Sequence, residues 1–217
     1  MLRPELIGDF KNSLVRGQYN LLFGAGVSLD STSSRGQPLP SGAALREELC
    51  KVTGAPSGTS MTRVAGLLDA QQKEKFITQR FLNCRPGPSL KQLPKYLWRR
   101  LFTFNVDDVV ETVYSESAES KQKLVALNWD SQFEPATDRP ELLAIHLHGF
   151  ARQSKSGYVF AASEYARNMA SQNPWMMLLA QILSTEPFII AGASLDEPDL
   201  EFYLSFRSAN TPRSDRG

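Results

Sequence analysis

The stretch that most constrains the fold is residues 19–28, which read YNLLFGAGVS. Its apolar run, Leu21–Phe23, ends abruptly in the turn Gly24-Ala25-Gly26. This pattern is typical of a buried strand that ends at a phosphate site, because glycine permits a tight turn and a close approach to main-chain N–H groups. We therefore expect a strand, a turn and a helix whose positive end faces the same site.

Three later apolar runs also end in polar turns, at residues 104–107, 146–149 and 192–194. The carboxyl ends of parallel strands converge on one crevice, so these turns are expected to lie together. Helical patterns separate the runs. This alternation predicts a doubly wound, Rossmann-like parallel α/β sheet.

The periodicity predicts the individual elements. Strands are expected at 20–23, 101–104, 125–127, 142–147, 158–160 and 188–191, and helices at 4–17, from Ser41 onward, and at 61–70, 73–82, 109–114, 163–169, 174–183 and 196–204. Residues 54–95 are either a helical module inserted in the α/β domain or a plain run of surface helices. Residues 29–40 lack periodicity and are expected to form a loop, a candidate flap over the ligand.

Composition excludes several classes of protein. The chain of 217 residues suits one domain, and its net charge of +1 does not indicate a nucleic-acid-coating protein. Its two cysteines, Cys50 and Cys84, can form neither a disulfide scaffold nor a four-thiolate zinc site. No apolar stretch approaches the length of about 20 residues that crosses a bilayer. Residues 1–10 carry acidic side chains and lack a long apolar core, so they are not expected to be a secretion signal. We expect a cytoplasmic protein with reduced cysteines and no membrane or direct nucleic-acid partner.

The two histidines, His146 and His148, lie at the end of one apolar run. His148 precedes Gly149, where its side chain can reach a ligand, and a neutral imidazole is a competent base near neutral pH. It could equally be a hydrogen-bonded core residue. His146 lies inside the run and is expected to be structural.

Asn105 and Asp107 follow the strand predicted at 101–104. Either both point into the crevice, or they are the turn and N-cap residues that such a position favours. Gly192, Ser194 and Asp196 suit a ribose or phosphate, but they also suit a turn that leads into a capped helix.

Taken together, Gly24–Ser28, the Asn105-Val106-Asp107 motif, His148-Gly149 and Gly192-Ala193-Ser194 resemble the sirtuin (silent information regulator) family in order and spacing, over roughly residues 18–205. The segments GQPLPSG (36–42) and GASLDEPDL (192–200) are more similar to the sirtuin-like effector domains of bacterial antiphage systems than to histone deacylases. Deacylases carry a four-cysteine zinc module after the Asn-x-Asp strand, whereas no cysteine follows Cys84. The resemblance therefore implies a sirtuin-type domain at 1–206 that lacks the zinc module and needs no metal.

The resemblance also implies a role for each motif. It assigns the phosphates of NAD+ to Gly24, Ala25, Gly26 and Ser28, and the phosphate or adenosine ribose to Gly192 and Ser194. Asp107 would hold the nicotinamide carboxamide, Asn105 would position the nicotinamide ribose and the attacking water, and His148 would be the base or hydrogen-bond partner.

The activity implied by the resemblance is hydrolysis of NAD+ to nicotinamide and ADP-ribose, which depletes the cell of NAD+ during phage infection. The alternative is a non-catalytic regulatory or scaffold module that binds NAD+ or ADP-ribose, and a protein deacylase comes behind both. Constitutive NAD+ loss would kill the host, so activity is expected to depend on a homo-oligomer or on a sensor or nucleotide-switch domain. Residues 207–217 resemble a linker and are expected to lead into further domains of a longer protein.

Overall fold

A computed structural model describes residues 4–134 and 140–193 of the chain, with the side chains from residue 7 onward. Its strands are β1 (Asn20–Phe23), β2 (Leu101–Thr103), β3 (Lys123–Asn128), β4 (Glu141–His146) and β5 (Phe188–Ala191). Its α-helices are α1 (Pro4–Val15), α2 (Gly42–Thr53), α3 (Met61–Ala65), α4 (Ala70–Phe81), α5 (Val109–Glu116), α6 (Ala162–Ala170) and α7 (Pro174–Thr185). Short 3₁₀ turns lie at Ala25–Ser28, Leu93–Lys95 and Ala151–Ser156.

The five strands form one parallel sheet in the order β3-β4-β2-β1-β5. In register, Leu22 of β1 lies beside Phe102 of β2, which in turn lies beside Ile145 of β4. The predicted doubly wound α/β fold is therefore confirmed. All the strands end at the same edge, where the polar turns found in the sequence follow β1, β2, β4 and β5.

Successive side chains of the sheet enter two separate cores, as the period of two in a strand requires. Leu21 and Phe23 pack on one face with residues of α2 to α5, whereas Leu22 packs on the other face with Trp175 and Leu179 of α7. Leu22 and Trp175 are completely buried. Covering both faces explains why these strands read as uninterrupted apolar runs in the sequence.

The segment 158–160 is the one predicted strand that is wrong. Its residues are buried, but they form an irregular connection after Gly157, whose φ is +75°. Of their N–H groups, that of Val159 donates to a main-chain oxygen, the carbonyl of His148 just beyond β4, at 2.9 Å. A loop therefore buries these three apolar residues. The strand was predicted from apolar content alone, which does not distinguish a buried loop from a buried strand.

Residues 29–40 form a loop, as predicted, and the segment that follows α4 holds it in place. Thr32 pairs with Pro38 and Arg85 in isolated bridges, and the Ser31 hydroxyl accepts the Gly87 N–H at 3.0 Å. Pro40 reaches the cleft described below. Within the described residues this loop is therefore anchored along its length rather than detached from the domain.

The helices of residues 54–95 contribute to the core beside β1. Val64 of α3 and Ile77 of α4 are fully buried there. The final predicted helix, 196–204, and the tail 207–217 lie outside the described residues. None of the helices in the described ranges is both long and apolar enough to cross a bilayer.

Candidate functional site

A cleft of 720 Å³ opens at the carboxyl edge of the sheet. It brings together most of the site residues predicted from the sequence: Ala25, Gly26, Asn105, Asp107, His148 and Gly192. Gly24 and Ser28 lie just behind its wall, and Ser194 lies outside the described residues. Convergence of four separate polar turns on one cavity is the arrangement expected for a ligand site of a parallel sheet.

The three glycines of the site pack main chain against main chain. The Gly26 N–H donates to the Gly192 carbonyl oxygen at 2.8 Å. A Cβ atom on Gly192 would lie 2.3 Å from the Val27 nitrogen, and one on Gly24 would lie 2.5 Å from the Ala193 Cα atom. The turn after β1 therefore interlocks with the turn after β5, a reason for glycine that is separate from ligand approach.

Asn105 is fixed at both its main chain and its side chain. Its N–H donates to the Thr103 hydroxyl at 3.0 Å, and its amide Nδ2 donates to the Ser28 hydroxyl at 3.2 Å. Ser28 is only 2% exposed, so its role in this structure is to hold Asn105 from beneath the cleft.

Asp107 lines the cleft although it is only 6% exposed. Its carboxylate accepts the Val109 N–H at 3.2 Å. Burial raises the pKa of Asp107 to about 6; the charge of Glu111 adds to this effect, and the Val109 N–H, the Ser28 hydroxyl and His146 oppose it.

The Asn105 side chain directs its amide NH₂ group to Ser28, whose hydroxyl oxygen accepts from Nδ2 at 3.2 Å. The amide oxygen Oδ1 of Asn105 makes no hydrogen bond within the described residues and is the group left for a ligand.

His148 lies two residues beyond β4, in an aromatic environment at the cleft. Its ring centroid is 4.9 Å from that of Phe104, 6.2 Å from that of Phe160 and 5.5 Å from that of Tyr165. The Tyr165 hydroxyl lies 3.4 Å from Nε2 of His148. The imidazole is 8% exposed, so it contacts the cleft while its orientation is fixed by packing.

His146 lies under the cleft rather than in it. Its imidazole stacks on Phe150, with ring centroids 4.1 Å apart, and hydrogen bonds to Glu111 and to the Asn105 main chain. This placement agrees with the structural role expected from its position inside an apolar run.

Several residues that line the cleft were not identified from the sequence. They come from the helices and the connections between them: Pro40, Ser41, Gly42, Ala43, Leu45, Arg46, Ser60, Met61, Thr62, Phe81, Phe104, Val106, Phe160 and Tyr165. Arg46, one turn into α2, is the one cation among the described lining residues, and it pairs with Glu47 at 3.1 Å. The Ser41 N-cap, which accepts the Ala44 N–H at 3.2 Å, was predicted, and it could have placed Arg46 beside the glycine-rich turn.

Among the residues that the structure describes, no three His, Cys, Asp or Glu side chains are arranged to hold a metal ion. Cys50 and Cys84 are both free and buried. Burial and the neighbouring charges of Asp107 and Asp108 raise the pKa of Cys84, so its thiol stays protonated.

The model of the SIR2-like domain family matches residues 99–217, just over half of the chain. The matched part begins two residues before β2 and includes Asn105, Asp107 and His148, whereas the glycine-rich turn after β1 precedes it. No curated protein matches the chain.

Proposed function

The chain belongs to the SIR2-like family, whose members act on NAD+, and on that premise we propose that it is an NAD+ glycohydrolase that releases nicotinamide and ADP-ribose. The observation that supports the proposal is the convergence of Asn105, Asp107 and His148 on one cleft beside the glycine-rich turn. The cleft is large enough to enclose most of a dinucleotide, in the range of about 300–1,000 Å³ common for small-molecule sites.

The reaction demands little acid catalysis from the protein. Cleavage of the bond between C1′ of the ribose and the pyridinium nitrogen leaves neutral nicotinamide and a sugar with oxocarbenium character. A water oxygen then bonds to C1′ and loses one proton. The protein must hold the amide and ribose, place the water and accept that proton.

Three side chains are proposed for these tasks. The Asp107 carboxylate accepts the N–H of the nicotinamide carboxamide, and its raised pKa of about 6 leaves it ionised at neutral pH. The Oδ1 atom of Asn105 accepts from the ribose hydroxyl or from the water. His148, held by the aromatic rings around it, takes the proton.

The dinucleotide phosphates are assigned to the edge formed by Ala25, Gly26 and Gly192. The amino-terminal end of α2 and the Arg46 guanidinium face the same cleft and favour an anion. Ser194 is also assigned there from the sequence. Gly24 and Ser28 support this edge, Gly24 by the close contact of its backbone with Ala193 and Ser28 through Asn105.

We propose that residues 1–206 form the NAD+-hydrolysing domain of an antiphage system, in which NAD+ depletion stops phage replication. Such an enzyme must be silent in an uninfected cell. We therefore propose that assembly into a homo-oligomer, or contact with a sensor or nucleotide-switch domain, activates it.

The experiment measures NAD+ loss and nicotinamide release by the purified protein over a concentration series, together with Asn105→Ala and His148→Ala. Asn20→Ala is the matched control, because it makes the same substitution at a fully buried asparagine at the opposite end of the sheet, whereas Asn105 is half-buried. Turnover that both site variants lose and the control retains would support the hydrolase, and a faster than linear dependence on concentration would support activation by assembly.

Three other results would lead to different conclusions. Saturable NAD+ binding without turnover at any concentration would leave two possibilities, a non-catalytic binding module or an enzyme that lacks its activating domain. Absence of NAD+ binding would refute the assigned site. Release of nicotinamide only in the presence of an acylated peptide would favour a deacylase.

A further inference from the structure

A buried pair of titratable residues lies beneath the cleft and outside the roles proposed so far. His146 ends β4 and Glu111 belongs to the first turn of α5. The Nε2 atom of His146 lies 2.9 Å from Oε1 of Glu111, and its Nδ1 atom lies 2.9 Å from the main-chain oxygen of Asn105. The side chains are 2% and 7% exposed, so neither contact is shared with solvent.

The two distances fix the number of protons that the pair holds. A main-chain carbonyl can only accept, so Nδ1 of His146 carries a hydrogen. The contact between Nε2 and the Glu111 carboxyl needs a second hydrogen, located on either atom. The imidazole and carboxyl group thus share two protons and are together electrically neutral, which is the form of a buried pair that costs least.

The environment favours the second proton on the imidazole. Burial by itself lowers the pKa of His146, but the Glu111 charge and hydrogen bond, the Asn105 carbonyl and the charge of Asp107 together raise it. Oε2 of Glu111 is buried and has no hydrogen-bond partner within the described residues. The carboxyl group of Glu111 therefore makes its hydrogen bond through Oε1, and the partner is Nε2 of His146.

The pair acts on the residue that the proposed mechanism needs most. The Asn105 N–H is held by Thr103, its Nδ2 by Ser28, and its carbonyl by His146. Of these three contacts, only the one at the carbonyl joins β4 to the turn after β2. Without it, the peptide after Asn105 would lose its one side-chain anchor on the carbonyl side.

We infer that Glu111 and His146 form a positioning pair, which shares two protons and anchors the Asn105 carbonyl so that the Asn105 side chain keeps its place in the cleft. The catalytic consequence of this inference rests on the proposed NAD+ hydrolysis. The hydrogen bond from His146 to the Asn105 carbonyl does not depend on that proposal.

Two variants distinguish the effect of the hydrogen bond to the Asn105 carbonyl from the effect of the number of protons that the pair holds. His146→Phe keeps an aromatic ring against Phe150 but removes the hydrogen bond to Asn105. Glu111→Gln keeps a partner for Nε2, because the glutamine amide donates to the ring nitrogen, while Nδ1 keeps its hydrogen and its bond to the carbonyl. Glu186→Gln is the control, since Glu186 accepts from Asn20 at 2.8 Å at the far end of the sheet.

Kinetics are the first measurement. His146→Phe is expected to lower kcat for NAD+ cleavage at least about ten-fold with little change in KM, because a misplaced catalytic group costs turnover more than binding. Glu111→Gln should retain most of kcat, and Glu186→Gln should not change it. An equal fall in kcat for His146→Phe and for Glu186→Gln would overturn the inference.

Nitrogen-15 NMR of the imidazoles and of the Asn105 side-chain amide is the second measurement, and it needs no turnover. We expect both nitrogens of His146 to be protonated in the unmodified protein and one in Glu111→Gln, and we expect the Asn105 amide resonances to move in His146→Phe. A His146 imidazole without a hydrogen on Nδ1, or unmoved Asn105 resonances, would overturn the inference. Failure of the unmodified protein to bind NAD+ would instead refute the proposed function and leave this measurement decisive for the pair.

Discussion

Replacing Asp107 with asparagine should stabilise the fold while removing the activity. Burial of the carboxyl group raises its pKa from 3.8 to about 6. At about 1.4 kcal/mol for each pH unit, this difference corresponds to about 3 kcal/mol of unfolding free energy that the ionised group costs at neutral pH. Asparagine has the same shape and carries no charge, so that cost disappears.

The pH dependence makes the prediction sharper than a single stability value. The folded protein binds the Asp107 proton more tightly than the unfolded chain does, so the unmodified protein loses stability as pH rises from about 4 to about 6 and little beyond that. Asp107→Asn has no such titration. The advantage of the variant should therefore grow by about 2 kcal/mol between about pH 4 and pH 7, whatever hydrogen bond the substitution weakens.

The assay is urea unfolding followed by tryptophan fluorescence at a series of pH values. Asp108→Asn is the matched control, because Asp108 is a buried neighbour that accepts the Asn83 and Cys84 N–H groups and the Arg152 guanidinium at 2.8–2.9 Å. The same substitution there should cost about 1–3 kcal/mol by leaving donors unpaired. A stability difference for Asp107→Asn that is constant with pH would refute the reasoning.

Three further predictions concern stability. Gly192→Ala should lower the melting temperature in a thermal scan, since its Cβ would lie 2.3 Å from the Val27 nitrogen at a φ of +65°; an unchanged melting temperature would contradict the interlocked turns. Lys73→Met should cost about 1–2 kcal/mol in urea unfolding, because the half-buried Glu164 loses its cation and keeps only the Phe160 and Ala161 N–H groups. Lys73→Arg, which keeps the charge, is the comparison. Ser41→Ala should cost about 1 kcal/mol in the same assay by removing the N-cap of α2, and a Ser41→Asp variant that fails to retain stability would count against that cause.

Much of the fold could be predicted from the sequence because its strands are short, mostly apolar runs between breakers. The fully buried β1 and the half-buried β5 were both predicted with the bounds that the structure has. The segment 158–160 was predicted wrongly for the same reason: it is equally apolar and buried, but Gly157 turns the chain away from the sheet. An apolar pattern in the sequence indicates that residues are buried, but a buried segment need not be a strand.

The site was predictable where it follows strand ends. Asn105, Asp107 and His148 share the cleft because parallel strands end at one edge, which the alternation of elements already implied. Tyr165 and the supporting Glu111 could not be identified in the same way. Both lie on helices, and a helix gives no indication in the sequence of the turn that its side chains will face.

Two parts of the chain contribute differently to the cleft. The residues proposed to act on the ligand follow the strands, whereas Ser60, Met61, Thr62 and Phe81 belong to the helical stretch between β1 and β2. The proposed function thus places reactivity and selectivity in separate segments of the chain. Exchange of that helical stretch between relatives could change which molecules enter while the chemistry at the strand ends is inherited unaltered.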